Sequence, residues 1–322
     1  MAGTDRSASL KLLSLLGPFL GLGLVILLFG LIVPNEFLTW YNAKNIATQT
    51  VIVGLSALGM TFVIASSGID LSVGSAMALS SVVTAKLLLG GAPPMLAALG
   101  GVLTGGLVGL INAALVVSLN IVPFIVTLGT MGMARGFAKL LAHEAKVDAP
   151  ASWLPDLLSK SDQVALLGLP PGIWVFALLA LLMAAVLRST AFGVRTLALG
   201  SNEATARLCG VPVRFTKVCI YTLCGLFAGL SGVMVFARLT VGDPTVSVGL
   251  ELNVIAAVVI GGASLSGGEG TILGSVLGAF MMSVLANGCD LAEIPNYVQE
   301  IIVGIIIVVA VAVDRLRHWR QS

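Results

Sequence analysis

The chain has 322 residues, of which 57% are hydrophobic and only 10% charged, against about half and about a quarter in an ordinary soluble domain. That balance excludes a soluble enzyme and a disordered protein. The net charge of +2 is small and scattered, without the Lys/Arg stripe that nucleic acid demands, so membrane lipid is an expected partner and nucleic acid is not.

A spanning helix needs about 20 mostly apolar residues to cross a hydrocarbon core of about 30 Å, so there is material for roughly ten spans joined by short loops. The first apolar run, Leu12 to Val33, is too long for a signal-peptide core of about 7 to 15 residues, so it reads as a helix. Further apolar stretches run at Ile46 to Ser66, Val73 to Leu89, Pro94 to Leu119, Val122 to Ala142 and Ile173 to Leu187. After a polar stretch come Val218 to Ala237, Leu250 to Ile260, Thr271 to Ala286 and Val298 to Val313, the eighth being short for a full crossing. The predicted fold is an all-α integral membrane protein, a polytopic bundle of about ten transmembrane helices with broken or re-entrant segments. Residues 1–322 form a single transmembrane domain.

Short loops rich in Lys and Arg stay in the cytoplasm. The connection 188–217 holds Arg188, Arg195, Arg207, Arg214 and Lys217 against one acid, Glu203. It faces inward, as do the head 1–11 with Arg6 and Lys11 and the tail 314–322 with Arg315, Arg317 and Arg320. Six spans before the inner loop and four after it satisfy all three constraints. By the same parity His143 to Gln163, with Glu144, Asp148, Asp156 and Asp162, is an outer loop, and Trp153 suits an interfacial anchor.

Thirty-eight glycines would weaken soluble helices, but in lipid they let helix backbones approach. The spacings Gly17/Gly21, Gly105/Gly109, Gly225/Gly229 and Gly270/Gly274/Gly278 read as intramolecular packing signals. Cys209, Cys219, Cys224 and Cys289 include no C-x-x-C pair and have no nearby His. They read as small packing residues, with no metal site, disulfide framework or cofactor expected.

Polar residues interrupt the apolar sequence at three places. Ser67-Gly68-Ile69-Asp70-Leu71-Ser72-Val73-Gly74-Ser75 sets an acid among glycines and hydroxyls, where a helix is expected to break. Non-helical backbone at membrane depth is tolerated only beside protein or a water-filled cavity. Two readings of Asp70 stand together: a functional acid in a solute pathway, or a cap for the helix that follows. The second cluster holds Asn112, then Asn120 through Thr130 with Pro123 and Thr127, then Arg135 and Lys139 on one helix face. Pro123 fits a first helical position, the two cations suit snorkelling to the outer interface, with a pathway role equally open for Arg135, and Asn112 and Thr127 serve either a pathway or interhelical hydrogen bonds. The third, Gly261 to Gly270, reads as a turn or broken helix, and Glu251 and Asn253 open the span before it. There a carboxylate either favours the helix dipole or faces the pathway.

Between Arg195 and Lys217, Ser201 or Asn202 can cap a short helix carrying Glu203, Ala204, Ala206, Arg207 and Leu208, and Gly210 with Pro212 ends it. Its apolar face is too small to hold it firmly on headgroups, so it reads as a knob that docks into a groove on a soluble partner.

The strings at 67–75, 123–130, 200–211 and 255–270 occur in an order that resembles the permease subunits of bacterial ribose, xylose and galactose type ATP-driven importers, over residues 45 to 314. Two positions depart from the family pattern: Ala113 follows the fourth-span asparagine in place of glycine, and Thr205 replaces a small or acidic residue. The resemblance implies a multi-pass protein of the bacterial inner membrane that imports a monosaccharide as a homodimer. Its other implied partners are a cytoplasmic ATP-binding subunit and an extracytoplasmic sugar-binding protein. Asn202, Glu203, Ala206, Arg207 and Gly210 would then lie in or beside a coupling helix that receives the ATPase stroke. Ser67, Asp70, Ser72, Asn112, Thr127 and Asn253 are the candidate pathway residues. The chain has no G-x-x-x-x-G-K-[ST] and no Gly-Lys pair, so it is expected to be a transport subunit and not an enzyme. An ion-coupled secondary transporter is the alternative, since such sites also form at broken helices, but only Asp70 is a strong mid-span relay group. An intramembrane hydrolase is disfavoured because His143 and His318 fall in an outer loop and the tail.

Overall fold

The structure, a computed structural model, describes the backbone of residues 3–161 and 163–319, and the side chains of 17–161, 163–312 and 315. The side chains of Arg6, Lys11, Asp162, Arg317 and Arg320, invoked above for orientation, lie outside the described residues. In chain order the helices are α1 Gly3–Ile32, α2 Pro34–Phe37, α3 Trp40–Ala65, α4 Val73–Leu89, α5 Pro94–Leu119, α6 Pro123–Ala142 and α7 Pro171–Ser189. They continue with α8 Ala191–Ser201, α9 Glu203–Leu208, α10 Val213–Leu239, α11 Leu250–Ile260, α12 Ile272–Leu291 and α13 Asn296–Trp319. The strands β1 Val147–Asp148 and β2 Val241–Gly242 pair antiparallel, Val147 opposite Gly242. This ladder and an isolated antiparallel bridge between Leu166 and Leu169 are additions to the all-α expectation.

Local chemistry explains most boundaries. Pro94, Pro123 and Pro171 sit in the opening turns of α5, α6 and α7, where a missing N–H costs nothing. Thr39, Thr190 and Thr271 cap α3, α8 and α12, each hydroxyl accepting from a backbone N–H three residues on. The Thr39 cap starts α3 at Trp40, six residues before the apolar run. Six described helices are long and apolar enough to cross a membrane: α3, α5, α6, α7, α10 and α12. Shorter apolar stretches lie at Gly17–Ile32, Val73–Leu89, Leu250–Ile260 and Asn296–Ala312. The 11 residues of α11 rise only about 16 Å at about 1.5 Å per residue.

At the centre stands α3, with Val51, Leu55, Leu58 and Phe62 wholly buried. Against it and α5 packs α10. The expected pairs Gly105/Gly109 and Gly225/Gly229 meet one another: a Cβ on Gly225 would lie 2.8 Å from Gly109 Cα, and one on Gly229 2.5 Å from the Val102 carbonyl. The two backbones therefore touch with nothing between them. Gly274 and Gly278 seat α12 on the Gly261 and Ala257 carbonyls of the α11 side in the same way. Among the described residues a Cβ on Gly17 would have no neighbour within 4 Å, so Gly17/Gly21 is not a close-approach pair there. Cys224 and Cys289 are buried as expected, whereas Cys209 is exposed, one residue past the end of α9.

At about 1.5 Å per residue, the 27 residues of α10 run about 40 Å from the α8/α9 segment at one end to β2 at the other. Since β2 pairs with β1, segments 143–163 and 188–217 lie at opposite ends of the molecule. The first carries a 3-10 turn at Leu154–Leu158 with Leu154 and Leu158 buried. Trp153, 46% exposed, remains at the surface.

Candidate functional site

The helix break falls where the sequence put it. After Ala65 the chain turns through Ser67 at φ 62°, and the Gly68 N–H returns to the Val63 carbonyl at 2.9 Å. Asp70 is buried at the foot of α4, its Oδ1 accepting from the Ser72 N–H at 2.9 Å and the Ser72 hydroxyl at 2.6 Å. From α5, the wholly buried Asn112 reaches both Asp70 oxygens with Nδ2 at 3.3 Å and Ser72 Oγ at 2.8 Å. The Thr130 hydroxyl of α6 meets Asn112 Oδ1 and lies 3.1 Å from the Thr127 carbonyl. Thr127 Oγ1 in turn lies 3.3 Å from the Ile69 and Phe124 carbonyls.

Four of the six candidate pathway residues, Asp70, Ser72, Asn112 and Thr127, thus form one buried cluster joining three elements. The cap reading of Asp70 is not realised as such: the residue before α4 is Ser72, without a side-chain cap bond, and the Asp70 carboxyl instead accepts from the Ser72 N–H two residues on, closing a turn just ahead of the helix. The described donors to that carboxyl are all neutral, an arrangement that keeps buried polar groups satisfied. Ser67 is exposed near the 261–270 turn, where a Cβ on Gly267 would lie 2.7 Å from Ser67 Cβ. Asn253 is half-buried in the first turn of α11 and, among the described residues, makes no hydrogen bond to the cluster. Sequence reasoning missed Thr130, though its spacing of three from Thr127 puts both hydroxyls on one face of α6. It also missed Tyr221 of α10, whose hydroxyl lies 2.5 Å from where a Cβ on Gly68 would stand. A single tyrosine in an apolar run carried no signal.

Toward the opposite end, Arg135 does not snorkel. Its guanidinium donates to the Pro244 and Val246 carbonyls at 2.9 and 2.6 Å, holding the irregular stretch between β2 and α11. The exposed Lys139 keeps the interfacial reading open. Asp243 Oδ1 accepts from the Thr245 N–H at 2.8 Å and hydroxyl at 2.6 Å, and Lys146 stands 3.6 Å from Oδ2. Burial pushes the Asp243 pKa up, but the Thr245 bonds and Lys146 outweigh it and hold the carboxyl below its ordinary range. Glu251 Oε1 accepts from the Gly249 N–H at 3.2 Å, which favours the dipole reading at the start of α11.

The 188–217 segment holds two helices, not one. Thr190 resets the backbone after α7 and caps the unanticipated α8. The cap of α9 is Asn202, accepting from the Thr205 N–H at 2.9 Å, and Gly210 ends it at φ +81° with Val211 N–H on the Ala206 carbonyl at 3.0 Å. Glu203 accepts from Arg207 at 2.9 Å and from Lys217 at 2.8 Å, tying α9 to the first turns of α10. The Lys217 hydrogen bond, with Arg207, holds the Glu203 carboxyl below its ordinary range. Ala206 is buried beneath α9 while Leu208 is 89% and Phe215 65% exposed. On the inner side, Gly200 of α8 lies against the Ala65 carbonyl, which also accepts from the Gly268 N–H at 2.9 Å. The α8/α9 segment is therefore braced from within, α9 by α10 through Glu203 and Lys217 and α8 by the end of α3, while Leu208 of α9 and Phe215 of α10 stay uncovered.

The family described as branched-chain amino acid transport system / permease component matches residues 42–311. The ribose import permease protein RbsC of Bacillus subtilis is 38% identical over 300 residues, 93% of this chain and 92% of that one. The D-allose transport system permease protein AlsC of Escherichia coli is 36% identical, over 93% of this chain and 91% of its own. The L-arabinose ABC transporter permease protein AraH of Azospirillum brasilense is 38% identical, over 88% and 82% respectively. No solved structure matches.

Proposed function

The chain belongs to the branched-chain amino acid transport system / permease component family, and on that premise we propose that it is the membrane permease subunit of an ATP-driven importer of a monosaccharide, a ribose-like pentose or a hexose. The family description mentions amino acids, but the relatives above are named for ribose, allose and arabinose, and they support the sugar reading. The chain is one permease domain crossing the bacterial inner membrane ten times, with both termini and the α8/α9 segment in the cytoplasm and 143–163 outside.

One observation carries the mechanism: α9 is capped by Asn202, locked by Glu203 and Gly210, seated on Ala206, and uncovered at Leu208. A surface knob so braced is built to receive force. A separate cytoplasmic ATP-binding subunit grips it, an extracytoplasmic sugar-binding protein delivers the solute, and a second copy of the chain completes the conduit. ATP binding and hydrolysis then alternate the opening between the two sides. The Asp70, Ser72, Asn112 and Thr127 cluster, with Ser67 and Asn253 flanking it, lines or closes the pathway in the α8/α9 half of the membrane.

The test is to place Glu203→Arg and Gly210→Trp in the assembled transporter. Both should insert normally and lose coupling to the ATP-binding subunit, Glu203→Arg by setting like charges beside Arg207 and Lys217, Gly210→Trp by strain at positive φ. Normal copurification and turnover in both variants would remove the docking role. The chain alone in liposomes should show no proton- or sodium-driven sugar uptake, and such uptake would favour the secondary transporter.

A further inference from the structure

Lys217 and Tyr221 stand four residues apart on α10 and so share a face. Lys217 holds α9 through Glu203 at 2.8 Å. One turn deeper, Tyr221 is 2% exposed and its hydroxyl lies over Gly68 in the helix break. Among the described residues that hydroxyl has no hydrogen-bond partner, although a buried donor left unpaired is disfavoured and phenylalanine would fill the same space. Two residues along the break, the Asp70 oxygens are unequally used. Oδ1 takes the two short Ser72 bonds, whereas Oδ2 takes only the 3.3 Å contact from Asn112 and keeps unused lone pairs. A buried donor with no acceptor among the described residues thus lies over the same seven-residue interruption as a carboxyl oxygen held by one long contact, and α10 connects the first to the coupling helix.

We infer that Tyr221 is a positioning residue that passes the stroke of α9 to the α3/α4 break. Movement of α9 carries α10 through the Glu203 and Lys217 pair, and the Tyr221 hydroxyl bonds the Asp70 carboxyl in the conformation opposite to the one described here. The inference rests on the importer reading above, and it gives a role to a hydroxyl that finds nothing to bond among the described residues in this conformation.

The experiment uses the full chain in complex with its ATP-binding subunit in lipid nanodiscs. Ser67→Cys in a Cys209→Ser, Cys219→Ser background reports the state of the break through its rate of maleimide labelling, with and without ATP and vanadate. In the parent, trapping with ATP and vanadate should change the rate about tenfold. Tyr221→Phe should abolish most of that change, because one hydrogen bond to a carboxyl group is worth about a tenfold shift in a two-state population. Lys217→Met, which cuts the relay upstream, should do the same. Tyr221→Phe without nucleotide should be at least as heat-stable as the parent and should retain the ATP-binding subunit. A full nucleotide response in Tyr221→Phe, or a loss of stability without nucleotide, overturns the relay while leaving the importer reading intact. A parent chain that neither holds the ATP-binding subunit nor responds to ATP overturns both.

Discussion

Replacing Asn112 by alanine should loosen the bundle at its most polar point. The amide nitrogen donates to Ser72 Oγ at 2.8 Å and reaches both Asp70 oxygens at 3.3 Å, and the amide oxygen accepts from Thr130. A neutral hydrogen bond contributes about 1 kcal/mol and one to a charged group about 1.5 to 3 kcal/mol, with the long 3.3 Å contacts at the low end. Thr130 retains the Thr127 carbonyl at 3.1 Å, so it adds little to the loss. With the void left by the amide, Asn112→Ala should cost about 3 kcal/mol, roughly a hundredfold in the ratio of closed to open states. In a chain with Cys209, Cys219 and Cys289 replaced by serine, Cys224, wholly buried, is the reporter: its labelling by a maleimide in mild detergent should accelerate by about that factor. Thr130→Val should cost about 1 kcal/mol alone and less in the Asn112→Ala background, because its acceptor is already gone. A cost below about 0.5 kcal/mol for Asn112→Ala, or strict additivity with Thr130→Val, would show that the cluster is not the cooperative unit described.

Arg135→Met leaves the Pro244 and Val246 carbonyls without their donor, an effect of about 1 to 3 kcal/mol for each one left buried; amide exchange at 243–249 should quicken at least tenfold while α5 and α10 stay protected. Gly105→Leu should prevent α5 from seating on α10 and yield aggregated chain on size-exclusion chromatography, whereas Gly17→Leu, with nothing within 4 Å of its Cβ, should elute normally. Asp243 has its folded value below the ordinary carboxylate range, so its contribution is present above that range and is lost as pH falls through the lower folded value. The protection of the Val241 and Gly242 amides, taken relative to the unstructured-chain exchange rate at each pH, should therefore be flat from about pH 5 to 8 and fall only below about pH 4, and Asp243→Asn should abolish that acid step.

What was legible in the sequence was what local chemistry decides. Proline at the start of α5 and α6, the apolar limits of α4 and α11, and the Asn202 cap with its Gly210 stop were all read from a few adjacent residues. The break at Asp70 was legible because an acid flanked by glycine cannot continue an apolar helix in lipid. Its partner was not, for Asn112 lies 42 residues away and either of two roles suited it. Arg135 reaches carbonyls more than 100 residues distant, and no property of Arg135 points to them. The helix α8 was hidden because Thr190 sits between basic residues, so a composition typical of a loop masked a capping hydroxyl. Tyr221 became visible only when Gly68 was placed beneath it.

The contact of α5 with α10 has a mechanical corollary. Surfaces that touch backbone to backbone cannot slip lengthwise, since a shift of even one residue would drive a side chain into a space that admits only hydrogen. The two helices accordingly form a double girder, stiff along its whole length, with the α9 handle bolted near one end. Whatever reshaping the protein undergoes must be absorbed by the pieces around that girder: the interrupted α3/α4 corner, the truncated α11, and the irregular strap that Arg135 holds.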